Sequence, residues 1–71
     1  MSKFMATLTV NGKTRELEDD FTLQGYLESL GVNLQFVAVA YNGQVVDRAD
    51  FGGIVLKQGD DLEIVRPVGG G

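Results

Sequence analysis

The sequence predicts an α+β fold in which one short helix packs across one face of a mixed sheet of four to five strands. Three observations carry this reading. An alternating apolar run precedes Asn11-Gly12, a single-faced helical pattern spans residues 22–31, and β-rich runs surround a second Asn-Gly pair at 42–43.

The first strand runs from Phe4 to Val10, where Phe4, Ala6, Leu8 and Val10 share one side and Met5, Thr7 and Thr9 the other. That period of two belongs to a half-buried strand. Asn11-Gly12 supplies the two positive-φ positions of a two-residue hairpin turn, and Lys13 to Glu18 returns as the second strand. In the simplest register Arg15 stands opposite Leu8 on the apolar face. Either Arg15 lies at the sheet rim with its stem along apolar surface, or the hairpin carries a bulge.

Asp19 and Asp20 form a polar turn. Leu23, Tyr26, Leu27 and Leu30 then fall at i, i+3, i+4 and i+7, one helical face, with Thr22 as N-cap, Gly31 as left-handed C-cap and Gly25 in the interior. Phe36 to Tyr41 is a strand with Val37, Val39 and Tyr41 toward the core. Asn42-Gly43 turns it into Gln44 to Val46. Residues 47–53 form a loop or single turn, Ile54 to Leu56 is short and apolar, and Gln58-Gly59-Asp60 turns into a last strand, Leu62 to Arg66. Pro67 ends that strand because it has no ladder hydrogen to donate.

Two strands, a helix and further strands within residues 1–66 is the element order of the ubiquitin-like β-grasp fold. In that fold the first and last strands pair in parallel at the sheet centre, with the helix in their crossover. One domain, 1–66, and a tail, 67–71, account for the chain, with no linker or repeat.

Composition narrows the chemistry. Among 71 residues there is no Cys, His or Trp, so a disulfide, Cys-ligated zinc, a thiol nucleophile and an imidazole base are all excluded. A self-contained enzyme is not expected, nor is a bound cofactor or metal. The net charge of -4, from 6 Lys and Arg against 10 Asp and Glu, lacks the footprint that neutralises phosphates, so nucleic acid is not an expected partner. No apolar run reaches the roughly 18–20 residues of a membrane span, and no basic-then-apolar leader opens the chain. A cytoplasmic protein, monomeric when free, is the expectation.

The tail remains. Pro67, Val68, Gly69, Gly70 and Gly71 add nothing to a core, yet fully extended they span about 16 Å. Without Cβ atoms the glycines can thread a narrow cleft and adopt backbone angles closed to other residues. A terminal glycine also presents the least hindered carboxylate. The functional reading is a tail inserted into a partner's active site with its own carboxyl group as the substrate; the bland one is a frayed end or a cloning remnant.

With these pieces in place the chain resembles the ThiS-type sulfur carriers of thiamin (thiazole) biosynthesis, relatives of the small subunit of molybdopterin synthase and of ubiquitin. The resemblance covers essentially the whole chain: Val-Asn-Gly at 10–12, LQGYLESL at 23–30, VAVAYNGQVV at 37–46 followed by Arg48, GDDLEIV at 59–65 and the Gly-Gly terminus. In such carriers the second hairpin often runs Val-Pro-Arg. Here it is Val46-Asp47-Arg48, a departure that bears on the shape of that loop.

The resemblance implies a mechanism. An E1-like adenylyltransferase of the ThiF type spends ATP to adenylate the Gly71 carboxylate, a sulfur donor enzyme supplies the atom that makes a thiocarboxylate, and a ThiG-type thiazole synthase takes it. Two alternatives stand beside it: a carrier for molybdopterin or tRNA thiolation, and a ubiquitin-like modifier or binding module. The acids Asp60, Asp61 and Glu63, near the root of the tail, are candidate partner-docking charges. Arg48 and Arg66 contact either a partner or solvent, while Phe51 is either an exposed anchor or a cap on the core. Phe36 is open in the same way. Gly52-Gly53 is read as a turn and Asp19-Asp20 as solvated.

Overall fold

The computed structural model describes residues 5–66. Its strands are β1 (Met5–Val10), β2 (Lys13–Glu18), β3 (Ala38–Tyr41), β4 (Gln44–Val46) and β5 (Asp61–Val65); helix α1 (Leu23–Ser29) and a 3-10 helix (Arg48–Gly53) complete it. The five strands form one sheet in the order β2-β1-β5-β3-β4. The first and last strands are parallel at its centre, and the two hairpins are antiparallel on either side. This is the β-grasp arrangement that the element order predicts.

Both Asn-Gly turns form as expected. Asn11 and Gly12 have φ of 52° and 81°, Asn42 and Gly43 of 51° and 86°. These left-handed pairs match the twist of the strands they join. The first hairpin keeps the simple register, with Leu8 opposite Arg15, so no bulge is present and Arg15 sits on the edge strand of the helix-side face.

Helix α1 is shorter than the periodicity predicts. The Leu30 N–H is shared between the Tyr26 and Leu27 carbonyls, and Gly31 at φ 76° turns the chain away. The Thr22 hydroxyl accepts the Gly25 N–H at 3.0 Å and caps the other end. Gly25 lies inside the helix for a packing reason, since a Cβ there would stand 2.9 Å from the Phe21 ring. That ring meets Tyr26 edge-on at 6.5 Å. Strand β3 starts at Ala38 rather than Phe36, because Asn33 draws the Phe36 N–H to its carbonyl and the Gln35 N–H to its side chain.

The core lies between the sheet and α1. Leu8, Leu23, Leu27, Val39, Leu56 and Leu62 are fully buried, joined by Ala6, Val10, Tyr26 and Ile64. Thr22 bridges to Val55, which ties the helix entry to the segment before β5. Among the described residues no helix is long and apolar enough to cross a membrane.

Candidate functional site

The candidate site is the end of β5, from which residues 67–71 continue. Gly71, Gly70, Gly69, Val68 and Pro67 lie outside the described residues, so the structure bears on their setting only.

That setting is firmly held. Between β1 and the segment that runs into β5 three backbone N–H groups donate in turn: Gly59 to the Thr7 carbonyl, Thr9 to the Asp60 carbonyl and Asn11 to the Leu62 carbonyl, all at 2.8–2.9 Å. Asn11 also binds Ile64 with its side chain. On the other flank Asn42 donates its N–H to the Asp61 carbonyl, and its Oδ1 accepts from the Asp61 N–H. A central strand paired on both edges is a rigid base for whatever follows it.

Alternation along β5 sorts its side chains. Leu62 and Ile64 point to the core; Asp61, Glu63 and Val65 are exposed on the outer face. Val65 is 65% exposed and pairs in register with exposed Ala38, while Val45 on β4, 82% exposed, pairs with Ala40. The outer face thus carries an apolar strip next to the site, with Asp61 and Glu63 alongside. The period of two in LEIVR signals that Val65 points outward; Val45 follows only once the register of the second hairpin is known.

Two candidate docking residues are buried, Phe51 on the core-cap side of its two readings and Asp60 against its reading as a docking charge. Phe51 is 1% exposed, a core side chain held under the 3-10 helix, and offers no surface to a partner. Asp60 is 7% exposed, and its carboxylate accepts hydrogen bonds from the Tyr41 hydroxyl at 2.7 Å, the Lys57 N–H at 2.8 Å and the Asn42 amide at 3.2 Å. Burial alone would raise its pKa, but these hydrogen bonds outweigh it and hold the carboxyl below its ordinary 3.8. Burial, and the bond and charge of Asp60, push the Tyr41 hydroxyl up to about 12. Asp60 is therefore a turn lock rather than a docking charge.

The remaining candidates divide. Asp61, Glu63 and Arg66 are exposed at or near the end of β5. Arg48 is exposed on the 3-10 helix that follows edge strand β4, with β3 and β4 between it and β5. Phe36 is exposed in the loop before β3. Asp47, where the resembled carriers often have proline, sits at φ -80° and ψ 151°, angles that proline also adopts. The loop needs no proline to take that path. Among the described residues no group of His, Cys, Asp and Glu is placed to hold a metal ion.

Among the described residues no catalytic constellation is assembled; β5 is paired on both edges, and the apolar strip of Val65 and Val45 lies on its outer face. Two curated relatives, both thiazole synthases, are 40% identical over 62 residues (Magnetococcus marinus) and 36% over 64 residues (Paramagnetospirillum magneticum). The matches cover 87% and 90% of this chain, which spans about a fifth of the length of those relatives, 19% and 20%. The crystal structure of a thiamine biosynthesis protein (ThiS) from Geobacter metallireducens superposes with a TM-score of 0.77 at 34% identity, covering 92% of this chain and 99% of that one. An NMR solution structure of a thiamine biosynthesis protein from the same organism gives 0.75 at 34% identity, with 92% and 87% covered. The family model of the ThiS family matches residues 8–71, and this chain belongs to that family.

Proposed function

We propose that this protein is a sulfur carrier of thiamin biosynthesis whose Gly71 carboxylate is the reacting group. The observation that supports this most is the extent of the family match, which runs through the glycines to residue 71. A free carboxylate is a poor acyl donor, so its oxygen must first become a leaving group. An E1-like adenylyltransferase joins it to AMP, with ATP consumed and pyrophosphate released. A sulfur nucleophile from the donor enzyme then attacks the acyl carbon and displaces AMP; where sulfur arrives as a persulfide, a thiol cleaves the remaining S–S bond. The product is a thiocarboxylate. A chain without Cys or His supplies none of the activating groups itself, and its role is that of a protein co-substrate.

Thiazole formation is the favoured destination, because both curated relatives are thiazole synthases and carry the homologous segment in one chain. A partner of the thiazole synthase type then takes the sulfur. The test is intact mass after incubation with the activating enzyme, ATP and a sulfur donor. One oxygen-for-sulfur exchange is expected; an unchanged mass beside an enzyme that activates another carrier contradicts the reading.

A further inference from the structure

On the helix side of the sheet a groove of about 240 Å³ opens beside the end of β5, with Lys13, Arg15 and Arg66 on its rim. Its floor is apolar, formed by Val10, Tyr26 and Ile64. The register puts the cations there: Lys13 pairs with Val10 and Arg15 with Leu8, both core-facing, and Arg66 follows Ile64 by two. These are three of the six Lys and Arg in a chain of net charge -4.

None of the three side chains has an ion pair or hydrogen bond among the described residues. The acids of the neighbouring strands stand on the other face. Glu16 and Glu18 pair with Thr7 and Met5, and Asp61 and Glu63 alternate with buried Leu62 and Ile64. Gathering three like charges around an apolar floor is unfavourable for the free protein and becomes favourable when carboxylates are brought to it.

We propose that this groove docks an acidic peptide segment of the protein that receives residues 67–71. One or two of its carboxylates seat against Lys13, Arg15 and Arg66, and an apolar side chain between them rests on Tyr26 and Ile64. The proposal rests on the reading that those residues are handed to a partner. It adds a second contact surface, opposite in face and charge to the outer strip of Val65 and Val45, so that the partner grips both sides of β5.

The test is an NMR titration of the full-length 15N-labelled protein with a capped peptide of glutamate pairs alternating with leucines, and with its glutamine analogue. Saturable shifts at residues 11–15, 30–31 and 64–66 are expected from the acidic peptide alone. Arg15→Gln weakens binding about fivefold, Lys13→Gln with Arg15→Gln more, and Arg15→Lys retains most of it. No saturable shift at millimolar peptide, an equal response to the glutamine analogue, shifts centred on Arg48 or Lys57, or indifference to the substitutions overturns the proposal. Contacts between residues 69–71 and Arg15 in the peptide-free protein also overturn it, because the chain itself would then be the occupant. The titration needs no activating enzyme. A chain that binds the peptide yet never gains sulfur overturns the proposed function alone, and one that gains sulfur without binding the peptide overturns the groove alone.

Discussion

The Asn11 side chain closes on both backbone groups of Ile64: its Oδ1 accepts the Ile64 N–H at 2.7 Å and its Nδ2 donates to the Ile64 carbonyl at 3.2 Å. One residue thereby makes the left-handed turn of the first hairpin and extends the β1–β5 pairing toward the end of the last strand. Asn11→Gly keeps the turn and loses the clamp, and is expected to cost about 1–2 kcal/mol in chemical denaturation. Asn11→Ala loses both, and the positive φ adds about 1 kcal/mol more. Equal stability of the two variants would show that the turn angle carries no cost here.

Asp60 and Tyr41 set opposite limbs of the pH–stability curve. The Asp60 carboxyl is held below its ordinary 3.8, so the stability it contributes is present above that pH and is lost as pH falls through the lower folded value. Tyr41 is pushed from 10.0 to about 12, so its contribution is present below pH 10 and is lost as pH rises toward 12. Asp60→Asn is expected to cost about 1–3 kcal/mol at neutral pH and to flatten the acid limb. The same variant brings the Tyr41 absorbance titration back toward 10, since two of its three causes disappear.

Burial assigns Phe51 and Leu27 to stability. Leu27→Ala is expected to cost about 2–5 kcal/mol and Phe51→Ala about 3–5 kcal/mol, read from denaturant midpoints. A Phe51→Ala protein of unchanged stability and weakened partner binding would favour the anchor reading over the core cap.

At Asp47 the backbone suits proline, and in register Asp47 follows Val46, whose partner is Val39, so its own N–H points away from β3. Asp47→Pro is expected to stabilise by about 0.5 kcal/mol through the unfolded chain. A lowered melting temperature would mean that the loop takes another path.

The strands and helix were legible because their patterns are local: alternation before Asn11-Gly12, a leucine face between Thr22 and Gly31, and a second Asn-Gly turn. The parallel pairing of β1 and β5 followed from element order. What pattern could not reach was set by contacts distant in sequence. Asp60 reads as half of a turn's acid pair until Tyr41 and Asn42, nineteen and eighteen residues away, close on its carboxylate. Phe51 reads as a loop aromatic until the 3-10 helix turns it into the core. The register problem at Arg15 was visible as an anomaly, and it marked the basic groove. Lys13 and Arg66 joined it only through the sheet.

The central claim is that Gly71 carries the chemistry, and fragmentation of the activated protein in a mass spectrometer tests it most directly. A C-terminal fragment holding residues 69–71 should carry the oxygen-for-sulfur exchange, and Gly70→Trp should abolish it with the melting temperature unchanged. Sulfur located elsewhere in the chain, Gly71 found in an isopeptide bond, or a Gly70→Trp protein that still gains sulfur would contradict the account.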